Sequence, residues 1–406
     1  MNKIDELIAQ YCPNGVEYKR LEDIFKISRG RVMSKEYLSQ NKGKYPVYSS
    51  QTANNGQIGK ISTYDYYGEY LTWTTDGANA GTIFYRNEKF SITNVCGLLK
   101  ANSFEILPKF AYYVLSITMK SFVSSGMGNP KLMSNIVAKI QIPVPPLPVQ
   151  QEIVNILDKF TELEAELEAE LEARRKQYEY YRNQLLTPVE VDGKWLMNGV
   201  EVEWKTLGEI ISALRTGLNP RKNFKLNSVG AENYYITVRE LNGFSIQVTE
   251  KTDRVDNLGL NLIQNRSKIQ IGDILFSGTG TIGRTALVTE VPNNWNIKEG
   301  LYVITPITEI INERFLIYII HSKEVFNRIL SKADGSTVLS ISMSSLQKIP
   351  IPIPPLSEQE RIVEILDKFE KLVNDISEGL PAEIEARRKQ YEYYRGKLLN
   401  FKKLND

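Results

Sequence analysis

Residues Gly278–Gly283 read GTGTIG, the glycine spacing that lets a turn approach a dinucleotide pyrophosphate. That chemistry also needs a helix directly after the glycines, whose N-terminus would hold the phosphates. The following RTALVTEV alternates apolar and polar residues as a strand does, so no nucleotide cofactor is expected there. The single histidine, His321, sits in the apolar run FLIYIIHSKEVF and is expected as a packed helix residue, not a general base. Cys12 and Cys96 lack metal-ligand spacing and are expected as buried free thiols. The chain has 48 acidic residues, but none stands beside a lysine in a nuclease-like spacing. Neither a Walker A sequence nor an NPPY-like tetrapeptide for gripping a flipped adenine is present. No catalytic, cofactor-binding or metal-binding residue is assigned.

What the chain does offer is hydrogen-bonding chemistry suited to a polar, anionic ligand. EYLTWTTDGANAGTIFYR (Glu69–Arg86) and DILFSGTGTIGRTALV (Asp273–Val288) each read as two strands joined by a polar loop. The first presents Trp73, Thr74, Thr75, Asp76 and Asn79, the second Ser277, Thr279, Thr281 and Arg284. Ser49, Ser50 and Gln51 in the first half and Arg239 in the second are further candidates. Arg29, Arg31 and Lys35, then Arg215, Arg221 and Lys222, bring positive charge near the start of each half. GMGNPKL from Gly126 and DGSTVLS from Asp334, with Ser336, occupy matching places further on and are expected as another loop pair.

These residues are carried by a duplicated framework. At 406 residues the chain exceeds the roughly 100–200 residues of one domain, so two or three are expected. VEYKRLEDI from Val16 is echoed by VEWKTLGEI from Val202, and IPVPPLPVQQEIVNILDKF, ending at Phe160, by IPIPPLSEQERIVEILDKF, ending at Phe369. EARRKQYEYYR recurs from Glu172 and from Glu385. Each repeat is a short opening strand, a variable body, a proline-rich hinge and a long helix. The bodies diverge while the frames match, as expected if the frames do one job twice and the bodies recognise two different things. The net charge of +2 conceals a basic stretch from Lys19 to Lys60, with nine basic against three acidic residues, and six glutamates with no base over Thr161–Ala173. No run approaches the ~20 apolar residues of a membrane helix, and the start resembles no signal peptide, so a cytoplasmic, membrane-free protein is expected.

Apolar residues at steps of three and four trace one seam along each helix. The first seam includes Phe160, Leu163, Leu167, Leu171, Tyr178 and Tyr181, the second Phe369, Leu372, Ile376, Tyr391 and Tyr394. Pro148 suits a first helical turn, and Ser357 with Glu360 is expected as a capping box. The second helix has one additional step of four, with Gly379 and Pro381 at that point, and a kink or break is expected there. TELE-AELE-AELE over Thr161–Glu172 is a strong helix former whose repeat number is expected to set a distance.

The arrangement resembles the specificity subunit of type I restriction-modification systems over essentially the whole chain. The resemblance is carried by the paired PPL-x-x-Q hinges, Pro145–Gln150 and Pro354–Gln359, and the paired ARRKQYEYYR helices. It implies an α+β fold with two mixed α/β target-recognition domains in pseudo-twofold tandem, joined by two long antiparallel coiled-coil helices. The divisions are a first target-recognition domain over 1–147, a spacer helix over 148–187, a second target-recognition domain over 188–356 and a second helix over 357–403. The unequal helices depart from a perfectly registered coiled coil. The family's subunit is non-catalytic and binds double-stranded DNA at a two-part site with a gap. Two adenine methyltransferase subunits, and two restriction-translocase subunits, associate with it; S-adenosylmethionine, Mg and ATP belong to those partners. The loops above then become candidates for phosphate and base-edge contacts. A self-contained enzyme lacks its motifs here, and a purely structural coiled-coil adaptor leaves the two divergent bodies unexplained.

Overall fold

The computed structural model describes residues 3–124, 128–221, 223–375 and 377–404. The seam position Ile376, the candidate Lys222 and the first two residues of the segment from Gly126 lie outside them. The chain divides into two compact units, 1–166 with 385–406, and 167–384. Each contains one variable body and part of both long helices.

The first unit runs through α1 (Lys3–Tyr11), β1 (Tyr18–Arg20), α2 (Leu21–Ile24), β2 (Phe25–Arg29), α3 (Lys35–Gln40), β3 (Lys42–Tyr48) and β4 (Gln57–Ile61). It continues through β5 (Tyr66–Thr74), β6 (Ile83–Ile92), β7 (Cys96–Ala101), α4 (Pro108–Thr118), α5 (Ser134–Lys139), β8 (Gln141–Pro143) and the first part of α6 (Leu147–Leu186). Six strands form one sheet in the order β2-β7-β5-β6-β3-β4. Its pairs are antiparallel except β3 with β6. Phe110, Ala111, Val114 and Leu115 of α4 bury one face of that sheet against Leu71, Trp73 and Leu99. The two buried cysteines carry free thiols.

The second unit opens with a small meander of β9 (Val189–Val191), β10 (Lys194–Met197) and β11 (Val200–Glu201), then β12 (Glu203–Thr206) and β13 (Ile211–Thr216). There follow β14 (Asn233–Ile236), β15 (Leu241–Asn242), β16 (Ser245–Ile246), β17 (Arg254–Val255), α7 (Asn257–Ser267), β18 (Ile274–Ser277), β19 (Thr285–Leu287), β20 (Trp295–Ile297) and β21 (Leu301–Pro306). The unit is completed by α8 (Glu313–Ile320), α9 (Lys323–Ser331), α10 (Met343–Gln347), β22 (Pro350–Ile353), α11 (Leu356–Asn374) and the start of α12 (Leu380–Leu398). Its body holds the sheets β13-β21-β18-β19 and β17-β14-β20 and the two-stranded β15-β16. The apolar run FLIYII is the buried α8.

The repeated frames fold alike. β1 pairs antiparallel with β8, Tyr18 facing Pro143, and β12 with β22, Trp204 facing Pro352, so both copies keep one register. Each hinge is then clamped by its glutamine. Gln150 Nε2 donates to the carbonyls of Pro145 and Glu105, both at 2.6 Å, and its Oε1 accepts from the Leu107 N–H at 2.8 Å. Gln359 repeats this with the carbonyls of Pro354 (2.8 Å) and Ile310 (3.0 Å) and the N–H of Asn312 (2.8 Å). Both glutamines are fully buried. Two turns on, Asp158 accepts from Tyr113 and Lys109 of α4, and Asp367 from Tyr318 and Arg314 of α8. Each long helix is thus bolted to its body through its first three turns.

The hinge also sets where the second helix starts. Pro355 is its N-cap, with its carbonyl accepting from Glu358 and Gln359, and Ser357 lies inside the first turn, so the expected capping box does not form. The paired prolines hold extended backbone up to the helix itself, which moves the start one residue ahead of the serine. At the far end α11 stops at Asn374, and Asp375 accepts from the N–H groups of Ser377 and Glu378. α12 begins at Leu380, which gives Pro381 a first-turn position where it forfeits no helical bond.

Within the first unit, Phe160 of α6 stacks on Tyr394 and tilts on Tyr391, at 5.7 and 6.1 Å, and Glu164 pairs with Arg388 at 2.5 Å. Partners descend as α6 ascends, so the segments run antiparallel. In the second unit Phe369 of α11 stacks on Tyr181 and Tyr178, at 5.5 and 6.4 Å. The two contacts exchange the same repeat positions. Leu171 packs into the core of its unit, while Leu163 and Leu372 keep 46% and 37% exposure and Leu167 is half-buried.

Replacing Gln359 with leucine strands two carbonyls and an N–H, and is expected to lower stability by about 3 kcal/mol, seen as a reduced urea midpoint. Gln150→Leu should do the same in the first unit. A second expectation concerns His321, whose Nε2 lies 2.9 Å from Thr285 Oγ1. Burial, with a smaller contribution from Arg182, holds its imidazole down at about 4. The unfolded imidazole takes up a proton below its ordinary value near 6.5 and the folded one does not, so stability falls with pH between those values. The loss is about 2 kcal/mol by pH 5, and His321→Gln should remove that part of the slope in urea titrations at pH 7 and 5.

Candidate nucleic-acid interface

In the first body, three stretches distant in sequence meet beside the β5–β6 turn. Ser50 Oγ, just after β3, accepts from the N–H groups of Thr75 (3.0 Å) and Asp76 (3.3 Å). Asn79 Nδ2 donates to Thr52 Oγ1 at 3.2 Å, and Ser49 and Thr93 share a hydroxyl contact at 2.7 Å. The segment before the hinge joins through Gly77 N–H to the Pro130 carbonyl (3.0 Å) and Leu132 N–H to the Thr75 carbonyl (2.8 Å). Beneath the loop after β3 lies Arg86, only 2% exposed, its guanidinium 3.5 Å from the centre of the Tyr48 ring. Its Nη2 donates to the Asn55 carbonyl at 2.7 Å, and Asn54 and Asn55 are both left-handed (φ 49° and 55°). Burial lowers the pKa of this guanidinium, and its enclosure with the Tyr48 and Asn55 contacts makes it a fixed strut and not a surface cation.

The second body assembles the corresponding three stretches. Residues 278–283 lie in the β18–β19 turn and no helix follows, with Gly280 and Gly283 at positive φ. Gly280 N–H donates to the Leu339 carbonyl (2.8 Å), and Ile341 N–H to the Gly278 carbonyl (2.9 Å), which docks the segment from Asp334 on that turn. The third stretch follows β14. The parallel partners Tyr48 with Ile92 and Ile236 with Ile297 mark the same point in the two bodies, and three residues on stand Gln51 and Arg239. A groove of about 1340 Å³ opens there, whose lining includes Arg221, Arg239, Arg266 and Lys298 against Asp253 and Glu299. Positive charge prevails along it, and Thr279, Ser342 and Ser344 add hydroxyls.

Several sequence candidates fall elsewhere. Trp73, Thr74, Thr75 and Ser277 are buried. Trp73 Nε1 donates to the Leu132 carbonyl (3.1 Å), Thr75 Oγ1 to that of Val95 (2.8 Å) and Ser277 Oγ to that of Thr281 (2.6 Å), while Thr74 bonds the Asn79 carbonyl. The expectation that their side chains offer donors at the surface is corrected: Thr74 and Ser277 close their own hairpins, while Trp73 ties β5 to the segment before the hinge and Thr75 to the turn between β6 and β7. Arg215 is bound inward as well, to the fully buried Asp273 at 3.1 Å and the Lys268 carbonyl at 2.7 Å. Burial raises the Asp273 carboxyl, opposed by bonds from Thr305, the Gln270 N–H and Arg215.

Other candidates remain near solvent. Asp76 and Gln51 are half-buried, the Gln51 amide donating to the Gln57 carbonyl at 2.6 Å. Asn79, Lys35, Arg221, Arg239, Thr279, Thr281, Arg284 and Ser336 are exposed. Arg29 reaches Ser134 (3.2 Å), and Arg31 pairs with Asp65 and Tyr37, each at 3.1 Å. Sequence reading missed Arg86, Asp253, Glu299 and Lys298.

No helix among the described residues is long and apolar enough to cross a membrane. The family model of the type I restriction modification DNA specificity domain matches residues 13–173 and again 199–386. A putative type I specificity subunit of Mycoplasma pneumoniae is 31% identical over 94% of this chain and 97% of its own length. Two solved structures share the fold. The type I restriction-modification S subunit of M. genitalium has a TM-score of 0.56 at 17% identity, covering 95% of this chain and 96% of that one. A chain from a study of complex assembly and conformational transition of the type I restriction-modification system has a TM-score of 0.61 at 16% identity, covering 96% and 98%. With the specificity domain present twice and the paired helices that follow each copy, the chain belongs to the type I restriction-modification specificity subunits, the non-catalytic component of those enzymes.

Proposed function

We propose that this chain reads a two-part DNA site, one half with each body, and directs adenine methylation, and restriction where present, by partner subunits. The observation that carries the reading is the convergence, in each body, of three separate loop segments at one place on otherwise matching frames. Such loops bring backbone N–H groups, hydroxyls, amides and guanidinium groups to one surface, the chemistry that phosphates and base edges require. The frames, closely matched in sequence and in their hinge packing, suit two copies of one partner, which supports two methyltransferase subunits with two restriction-translocase subunits able to join. S-adenosylmethionine, Mg and ATP belong with those partners in this proposal. The solved relative described in the context of complex assembly supports such a partnership.

Co-expression with the system's methyltransferase, followed by single-molecule mapping of methylated adenine, tests this. The expected result is a bipartite motif with a fixed gap, in which exchanging one body changes one half only. A stable complex that methylates nothing would favour an adaptor or a degenerate subunit. Deleting Ala165–Glu168 removes about 6 Å of helix, and is expected to shorten the gap by roughly one or two base pairs at ~3.4 Å each. An unchanged gap would show that the tetrapeptide repeat is not the ruler.

A further inference from the structure

One guanidinium on the second body's groove is held in a defined orientation. Arg239 lies on the turn Val238–Glu240 directly after β14. Thr237 Oγ1 gives its one proton to Glu240 Oε2 at 2.8 Å and accepts from the backbone N–H and the Nε of Arg239, both at 3.3 Å. Arg239 Nη2 donates to Asp253 Oδ2 at 2.7 Å, and Asp253 Oδ1 is itself held by Asn227 Nδ2 at 2.8 Å. These contacts occupy the Nε–Nη2 edge of the guanidinium. A guanidinium has five N–H donors fixed in one plane, so the Nη1–Nη2 fork stays available, and the described residues give Nη1 no hydrogen bond. The side chain keeps 58% exposure and lines the groove.

The neighbouring cations are arranged differently. Arg254 lies over the Tyr234 ring at 4.6 Å and donates to the Glu232 carbonyl. Arg266 faces Glu299 at 3.6 Å, without a second hydrogen bond or ion pair among the described residues to set its plane. Lys298 has a point charge and no fork. A plane fixed on one edge and open on the other is what bidentate recognition of guanine O6 and N7 demands, whereas a phosphate accepts a charge in many orientations. The equivalent position in the first body is Gln51, so the residue type differs between two bodies that are expected to read different sequences.

We infer that Arg239 reads a guanine in the half-site of the second body, with Asp253 as its positioning residue. The inference rests on the DNA-reading function proposed above. The test uses the full chain co-expressed with its methyltransferase and maps methylated adenines for the wild type, Arg239→Ala, Arg239→Lys and Asp253→Asn. Arg239→Ala should reduce the preference for guanine at one position of one half-site roughly ten- to hundredfold, leaving the other half-site unchanged. Arg239→Lys should retain part of that preference, and Asp253→Asn should weaken the same position by less. If Arg239→Ala fails to assemble, the near-isosteric Asp253→Asn carries the same positional test. An unaltered motif, a half-site without guanine, or a weakening uniform across sequences with a shallower salt dependence would each overturn the inference, the last placing Arg239 on a phosphate. Absence of any two-part motif with the wild-type complex would instead remove the DNA-reading function itself.

Discussion

The fold depends on two buried side-chain amides. Gln150 and Gln359 each close a ring of hydrogen bonds between the carbonyl of a hinge proline, the segment before a body helix and the first turn of a long helix. Their necessity follows from the prolines they serve. A proline pair supplies no N–H groups, so its carbonyls must find donors elsewhere once water is excluded. A glutamine amide can donate to two carbonyls and accept from a third group at once. Because the carboxylates Asp158 and Asp367 bind the same body helices two turns later, each body meets its helix at several points, which resists both bending and rotation.

A rigid mount is useful only to loops that are themselves well placed, and the second support operates inside the bodies. Arg86 and Asp273, the latter paired with the half-buried Arg215, are charged groups buried below the loops, where desolvation is costly unless the partners are held. Arg86 offsets part of that cost with the Tyr48 ring, the Thr72 hydroxyl and the Asn55 carbonyl, its Nη1 staying buried without a hydrogen bond, and Asp273 with Thr305, the Gln270 N–H and Arg215. Charges that sequence alone offers as surface contacts thus divide into interior supports and exposed groups such as Arg239 and Arg221.

Periodicity and repetition made the framework legible. Steps of three and four traced the helices, period-two patterns found both hairpins, and duplicated words located hinges and opening strands before any coordinate. The misses have specific causes. Ser357 looks like a cap because serine before an acidic residue favours one, but the preceding prolines had already fixed the backbone. Trp73, Thr74, Thr75 and Ser277 are polar or amphipathic at strand ends, where sequence cannot say on which residue a strand gives way to its turn. Asp253 escaped notice because its role depends on a contact with a residue 14 positions away in sequence, which no local pattern encodes.

The last described residues tie the first body shut. Val16 donates to the Lys402 carbonyl at 2.9 Å, Leu404 donates back to Val16 at 2.8 Å, and Tyr18 reaches the Phe401 carbonyl. In the second unit Val202 donates to the Trp195 carbonyl in the same manner, there supplied by the segment leaving α6. The opening strand of each body is therefore seated by the segment that leaves the opposite repeat's helix. A nick or stop that removes Phe401–Leu404 would be felt 383 residues earlier in the chain, where the first body's opening strand would lose its latch.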